Sequence, residues 1–430
     1  MLCSGDKYLG RKSFAVAKDN GRTRPCVVAA LQQSALLAVG LALGAGLASP
    51  AYAQTDPQVQ DAIQANGAKP VPKPPLQVEA SLEAAYDDNI YRVDDRTTDP
   101  TDDIIVTPTV QVTYDRDNGI RRLTLRGLAG YDWFTSNGGR SKPRFEIEGS
   151  GRFLVAGTCA ISPLANYRQQ RADYGDLNSA TENLQKFSTL AVSADCKRPG
   201  LYPVVAWQRD TTRNGDGFEY ADQTSNRYRG GIGYDRPSLG SITAYYEHIT
   251  ANRPGLGLEN RSDAVGVSFE RSVSPLTEIN ADVRYMHVDS TSAAVGEYKG
   301  LAWDLSVATT AIPRVKITAT NERTIVNDSL IATGFAIRTA FRLQADVSLS
   351  ELTSIGAYGE FARRDFRQDA AIRPFSYTRD QVKQYGIVLR RKLNDRFSLE
   401  GGVSRFDRET NSDVSNYGAT RVTLGITMRS

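Results

Sequence analysis

Apolar and polar residues alternate with a period of two along most of the chain, in segments of roughly ten residues that begin near Leu76. Within residues 120–134, Leu123 and Leu125 fall on one face and Arg126 falls on the other. This is the side-chain period of a β-strand whose two faces meet different media. The pattern predicts an all-β domain with one apolar and one polar face per strand.

The connections between these segments alternate between short and long. The short ones carry turn-forming residues and are Asp115–Gly119, Thr158–Pro163, Lys197–Gly200, Arg236–Gly240, Val273–Leu276, Thr309–Pro313, Ser350–Leu352 and Leu393–Asp395. The long ones are polar and are Asp87–Asp102, Thr135–Pro143, Asp173–Glu182, Arg213–Gln223, Ala251–Ser262, Asp289–Glu297, Asn327–Ile331, Asp365–Tyr377 and Arg408–Ser415. A β-sandwich has the same period, but this rhythm favours a transmembrane antiparallel β-barrel of about 18 strands, with 16 as the alternative.

The N-terminal region has the features of an export signal. A basic stretch precedes the uncharged segment Cys26–Ala48, and Ala51-Tyr52-Ala53 follows as a cleavage pattern. We predict a signal peptide over 1–53, with a membrane anchor as the alternative because the apolar stretch approaches a bilayer span. No second apolar helix follows it, so an integral membrane protein of this sequence would have to be a barrel.

The segment 54–75 is polar and then rich in proline, which predicts an extended periplasmic linker ahead of a barrel at 76–430, with an unstructured tail as the alternative. The predicted signal holds six of the 52 Lys and Arg residues and two of the 49 Asp and Glu residues. The rest of the chain is therefore close to neutral. A nucleic-acid partner needs a concentrated basic face, so nucleic acid is not an expected partner.

Two cysteines, Cys159 and Cys196, remain beyond the signal. Each is predicted at the turn side of one of two neighbouring antiparallel strands, which brings the two sites together. In an oxidising compartment we expect a disulfide between them, with two free thiols as the alternative.

The sequence offers little for catalysis. His248 and His287 are the two histidines, and each lies within an alternating strand pattern. The chain lacks the GxSxG, HExxH and phosphate-binding GKS or GKT motifs, so we expect neither an enzyme nor a cofactor. Acidic pairs near the first long loop, such as Asp94-Asp95, could bind a cation if their oxygens converged, but a solvated acidic loop is the favoured interpretation and no metal is assigned.

Charged residues on the polar face of the strands are the candidate lumen lining. The strongest candidates are Arg122, Arg126, Arg229, Arg284, Arg338, Arg342, Glu146, Glu148 and Glu270. Rings of such charges filter solutes by sign and size. The alternative is that opposite charges pair across strands and keep the interior hydrated.

At 82–92 the sequence reads Leu-Glu-Ala-Ala-Tyr-Asp-Asp-Asn-Ile-Tyr-Arg, a strand that ends in an acidic loop. This segment resembles the first strand of the Putative beta-barrel porin 2 family of outer-membrane proteins. The resemblance implies a barrel that accompanies exopolysaccharide export. It also implies polysaccharide and periplasmic export components as partners. Outer-membrane lipid is the partner that the strand pattern itself predicts.

Together these features predict a channel in the outer membrane of a Gram-negative bacterium. The first hypothesis is an exit pore or accessory porin for extracellular polysaccharide. The alternative is a general or solute-specific diffusion porin for small molecules. A hydrolase built on a barrel is disfavoured because neither histidine has a matched nucleophile.

Overall fold

A computed structural model describes residues 75–171, 183–215, 217–326, 333–368, 378–412 and 416–430. The predicted signal 1–53 and all of the linker except Pro75 lie outside these residues. The described part contains 18 β-strands: β1 (Leu76–Asp87), β2 (Asp103–Asp117), β3 (Arg121–Phe134), β4 (Lys142–Ala156), β5 (Cys159–Arg171), β6 (Leu184–Asp195), β7 (Gly200–Arg213), β8 (Gln223–Arg236), β9 (Gly240–Arg253), β10 (Leu258–Ser274), β11 (Thr277–Ser290), β12 (Tyr298–Thr309), β13 (Val315–Val326), β14 (Thr333–Ser348), β15 (Thr353–Gln368), β16 (Arg379–Lys392), β17 (Phe397–Thr410) and β18 (Tyr417–Arg429).

The other regular structure among the described residues consists of three single-turn 3₁₀ helices in the connections, at Gly138–Arg140, Glu219–Ala221 and Pro254–Leu256. No helix among the described residues has the length and apolar character needed to cross a membrane.

The sheet closes on itself. Each strand pairs antiparallel with its neighbours in sequence, and β1 also pairs with β18 from Glu79↔Arg429 to Asp87↔Arg421. A closed sheet leaves no edge with unpaired backbone groups, which is the condition for a sheet to cross lipid. The prediction of an antiparallel barrel of about 18 strands is confirmed.

The two faces of the wall differ as the alternation predicts. Large apolar side chains point outward, and Leu82, Val265 and Leu424 are 49%, 66% and 54% exposed. Their sequence neighbours on the opposite face are polar, small or buried, as with Glu83 beside Leu82. An apolar outer surface of this kind is stable in contact with lipid.

The connections separate the two ends of the barrel. The end that carries both termini of the barrel has short turns such as 157–158 and 275–276, and the other end has the long connections, including 88–102. Short turns are periplasmic and long loops are extracellular in barrels of this type, so we call these the inner and outer ends.

Several predicted connections are shorter in the structure, and two of them differ most. The predicted turn Thr158–Pro163 is shorter, since β5 begins at Cys159 and Pro163 lies on its exposed outer face. The predicted loop Ala251–Ser262 is mostly strand, because β9 continues to Arg253 and β10 begins at Leu258. Both faces of β10 are polar at this end, so the sequence there lacks the apolar–polar alternation that indicates a strand.

Cys159 and Cys196 are joined by a disulfide at the inner end. Cys159 is the first residue of β5, and Cys196 follows the last residue of β6. The bond therefore ties the start of one strand to the end of its antiparallel neighbour.

The wall departs from a simple cylinder between β12 and β13. Their described pairing runs from Trp303↔Arg323 to Thr309↔Ile317, so the outer part of β12, residues 298–302, is paired with β11 and not with β13. Residues 324–326 of β13 continue instead alongside β14. At its outer end the described part of the β13–β14 pair is therefore not paired with β12 in the sheet and can bend away from the cylinder of the wall.

Candidate functional site: the barrel lumen

The nine predicted lumen residues all lie on the inward face of their strands, opposite the exposed apolar side chains. They do not form one ring. Arg122 lies beside the first inner turn, opposite Asp117, and Glu270 lies opposite Ser241 close to another inner turn. Arg229 and Arg338 lie farther toward the outer end. Height along the barrel, which sequence alternation does not report, therefore divides the candidates into separate groups.

One group is a network on β8, β9 and β11. Arg229 donates from Nε and Nη2 to Oε2 of Glu247, at 3.0 and 2.8 Å, and its guanidinium lies 4.0 Å from the ring centre of Tyr245. The Tyr245 hydroxyl donates to Asp282 at 2.7 and 2.8 Å to its two carboxylate oxygens, and Arg284 donates to the same carboxylate at 2.6 Å. These charges are held against the wall by fixed partners.

A second group centres on Arg338 of β14. Its guanidinium forms ion pairs with Glu322 of β13 and with Glu360 of β15, the latter at 2.6 Å. Arg342, four residues nearer the inner end on β14, lies 3.6 Å from the other oxygen of Glu360. Both groups match the alternative prediction that opposite charges pair across strands.

The other predicted residues have weaker partners. Arg126 donates to Gln111 at 3.1 Å, and Arg122 lies 3.8 Å from Asp115. Glu148 accepts a hydrogen bond of 3.5 Å from Asn166. These side chains are less restrained than the two groups above.

Asp304 of β12 stands out between the two groups. The register places it directly between Asp282 of β11 and Glu322 of β13, so three carboxylates lie side by side on the inner wall. Both neighbours have arginine partners, whereas no ion pair involving Asp304 occurs in the described part of the chain, and its side chain is exposed to the lumen. Sequence alternation placed Asp304 on the polar face, but only the cross-strand register reveals its two acidic neighbours.

The outer end of the β13–β14 pair folds into the lumen. Ile325, Phe335 and Ile337 belong to the strand faces that would otherwise meet lipid, yet they pack against Val288 and Tyr298 on the inner faces of β11 and β12. Phe335 and Val288 are 0% and 1% exposed. The wall therefore overlaps itself at this position, with β13 and β14 on the inside.

Further contacts fix this overlap. Ile325 also packs against Ala264, Met286 and Ala302, which line the inner faces of β10, β11 and β12. Asn260 of β10 donates its side-chain amide to the carbonyl oxygen of Gly334. We call residues 324–326 together with 333–337 the infolded pair.

The first outer connection also folds inward, across the ring of strands from the infolded pair. Ile90 is 4% exposed and packs against Ala85, Ile105 and Phe134 on inner faces of β1 to β3. Arg140 lies over the Phe134 ring at 5.6 Å. The mouth at the outer end is thus lined by folded chain on two opposite sides.

The Tyr-Asp-Asp-Asn segment has a structural role in this connection. Asp87 forms an ion pair of 2.6 Å with Arg92 and accepts a hydrogen bond from the Asn89 backbone. The Asn89 amide donates to the carbonyls of Val93 and Gly418, which ties β1 and its loop to β18.

The acidic pairs of the first connection do not converge on one point. Asp94 is bound by Arg96, at 2.7 Å. Asp103 accepts hydrogen bonds from Thr135 and Asn137 of the next connection, at 2.7 and 2.9 Å. Each carboxylate thus stabilises a different piece of the outer connections.

A closed antiparallel barrel with an apolar outer surface and a charged lumen is an integral outer-membrane protein of porin type, and the chain is localised to the outer membrane of a Gram-negative bacterium. Residues 249–430 match the model of the family Putative beta-barrel porin 2. This match supports the family predicted from residues 82–92, although that segment lies outside the matched range. No curated protein matches the chain.

Several solved structures are similar in fold to this chain. A BenF-like porin from Pseudomonas fluorescens Pf-5 has 8% identity and a TM-score of 0.45, with 83% of this chain and 99% of that chain covered. The outer membrane protein opdK from Pseudomonas aeruginosa has 9% identity, a TM-score of 0.45 and the same coverage. OccAB3 from Acinetobacter baumannii has 11% identity and a TM-score of 0.43, again covering 83% of this chain and 99% of that chain.

Proposed function

We propose that the protein is a passive diffusion porin for small polar solutes, which was the alternative hypothesis from the sequence. An 18-stranded barrel leaves an aqueous lumen unless chain folds into it. The observation that carries the proposal is the infolding of the outer end from two sides, by the infolded pair and by the connection around Ile90. Such infolding narrows the path at the mouth, which suits small solutes better than a polymer.

The charges of the wall suggest how solutes would be sorted. The two arginine-centred groups are neutralised by their partners, so their fields at the lumen axis are weak. Asp304 is the exposed carboxylate between them. We infer that this position favours cations or the cationic groups of solutes over anions.

A non-enzymatic role agrees with the position of the histidines. His248 and His287 both lie on the outward face of their strands. Each is in register with Asp263 of β10, so the three side chains share one face of the wall. No imidazole therefore reaches the lumen. This removes the usual general base from any reaction there.

Uptake of sugars of graded size into proteoliposomes tests the proposal. We expect swelling with small sugars and a loss of swelling as size increases. A clean deletion should slow the uptake of small solutes and leave secreted polysaccharide unchanged. Polysaccharide trapped in the periplasm of the deletion strain would favour the exit-pore hypothesis instead, and liposomes impermeable to every solute would contradict both.

A further inference from the structure

A compact group of metal-ligand side chains lies outside the lumen, on the outward face near the outer end. His287 and Asp289 are alternate residues of β11, and Glu297 is the last residue before β12. The Nε2 atom of His287 lies 3.1 Å from Oδ1 of Asp289 and 3.5 Å from Oε2 of Glu297. All three ligand atoms lie within 4.8 Å of one another.

These distances match the requirements of a tetrahedral metal ion. Zinc binds imidazole nitrogen and carboxylate oxygen at about 2.0 to 2.2 Å, which places two ligands of one tetrahedron about 3.3 Å apart. The two distances from His287 lie on either side of that value. One nitrogen and two oxygens suit a borderline transition-metal ion better than Ca²⁺ or Mg²⁺, which prefer oxygen alone.

The connection that carries Glu297 is held in place by its own contacts. Val295 is 5% exposed and packs against Val288 and Phe335 in the apolar cluster on the lumen side of the wall. The Thr291 backbone donates to the carbonyl of Glu259, at 2.9 Å. A bound ion would therefore require only small side-chain movements of Glu297 and its partners.

The competing interpretation is an ion-pair cluster without metal. Lys299 is exposed and its Nζ lies 2.9 Å from Oε2 of Glu297. An ion pair that is exposed on both sides is screened by water and contributes little to stability, so a metal ion can displace the ammonium at little cost. His248 lies near this cluster but has a different partner. Its ring is hydrogen-bonded at 2.8 Å to Asp263, which is in register with His287.

We propose that His287, Asp289 and Glu297 bind one divalent transition-metal ion of the zinc class on the outward face of the barrel. Water or a lipid phosphate oxygen would fill the fourth position. The ion would fasten the connection 291–297 to the end of β11. Because this site faces away from the lumen, its occupancy can be tested without any measurement of transport.

The test uses the folded full-length barrel in detergent, without a histidine tag and stripped with a chelator. Co²⁺ is the probe, because four-coordinate Co²⁺ absorbs visible light. We expect a visible band on titration, its loss on addition of Zn²⁺, and a higher unfolding temperature with Zn²⁺. His287→Gln and Glu297→Gln should each weaken binding by more than about tenfold. Glu297 lies outside the strands, so its variant should fold normally.

His248→Gln is the matched control, because it removes the neighbouring imidazole and leaves the three proposed ligands intact. It should bind Co²⁺ as the unmodified protein does. The proposal is overturned if the unmodified barrel gives no visible band, or if both variants bind Co²⁺ unchanged. An equal loss of Co²⁺ binding in His248→Gln would overturn the assignment, because it would indicate that His248 and Asp263 bind the ion instead.

Discussion

The inner and outer ends of the barrel differ in how their polar residues are used. At the inner end, charges such as Glu79 and Arg429 pair on an exposed surface beside tight turns. At the outer end, Asp380 is fully buried between Arg364 and Arg408, and chain folds back into the lumen. The polar residues of the inner end therefore lie at an exposed rim, whereas those of the outer end belong to a packed structure that lines the mouth of the barrel.

The largest expected effect comes from breaking the buried ion group at the outer end. Asp380→Asn leaves two buried guanidinium groups without their shared carboxylate, which should cost about 3 to 5 kcal/mol of stability. The inner-end control Glu79→Gln removes an exposed partner of Arg429 and should cost about 1 kcal/mol or less. Urea unfolding in detergent measures both, and equal losses would contradict the difference between the two ends.

The disulfide between Cys159 and Cys196 constrains the inner end. Its cysteines are 37 residues apart in sequence. In the chain-entropy model, closure of such a loop contributes about 3 to 4 kcal/mol, so Cys196→Ser should lower the urea midpoint accordingly. Conductance should not change, because the bond is far from the infolded pair. A loss of stability with unchanged conductance would show that the inner end contributes to stability without affecting the pore. A changed conductance would contradict this division between the two ends.

Two phenylalanines of β14 test the overlap of the wall. Phe335 is buried against the inner wall, and Phe341 on the same strand is 47% exposed toward lipid. Phe335→Ala should cost about 3 kcal/mol through cavity formation. Phe341→Ala should cost less, since lipid fills the space that it leaves. Tryptic cleavage near the infolded pair should increase in the first variant only.

Ion selectivity provides a subtler test of which carboxylates meet the solute. Asp304→Asn should shift the reversal potential in a salt gradient toward anions, because it removes an exposed lumen charge. Asp263→Asn is the control, since Asp263 faces outward beside His248. A shift of equal size in the control would mean that the inward and outward faces are wrongly assigned.

The smallest effect concerns the first outer connection. The hydrogen bond from the Arg96 side chain, opposed in part by burial, holds the pKa of Asp94 below its ordinary value of 3.8. Because the folded pKa is lowered, its stabilising contribution is complete from neutral pH down to about pH 4 and is lost as the pH falls further. The amide shifts of Thr97 and Thr98, which donate to the Asp94 carbonyl, should stay constant above that range and change below it.

The same contrast explains how much could be predicted from the sequence. Strand number, closure and the inward facing of residues such as Arg229 depend on local alternation and turn chemistry, which the sequence displays directly. The outer end of β10 was missed because Asn260 faces inward and Arg261 faces outward, so both faces of the strand are polar there. The infolding was missed because Ile325 and Ile337 alternate as lipid-facing residues do. Alternation cannot distinguish lipid from the apolar inner face of another strand.

Conductance of single channels in planar bilayers tests the central claim most directly. We predict stepwise conductance for the unmodified barrel and larger steps for Phe335→Ala, since loosening the infolded pair widens the mouth. Phe341→Ala should conduct as the unmodified barrel does. A folded, membrane-inserted barrel that never conducts would contradict an open pore, and steps of equal size in all three proteins would contradict a constriction at the infolded pair.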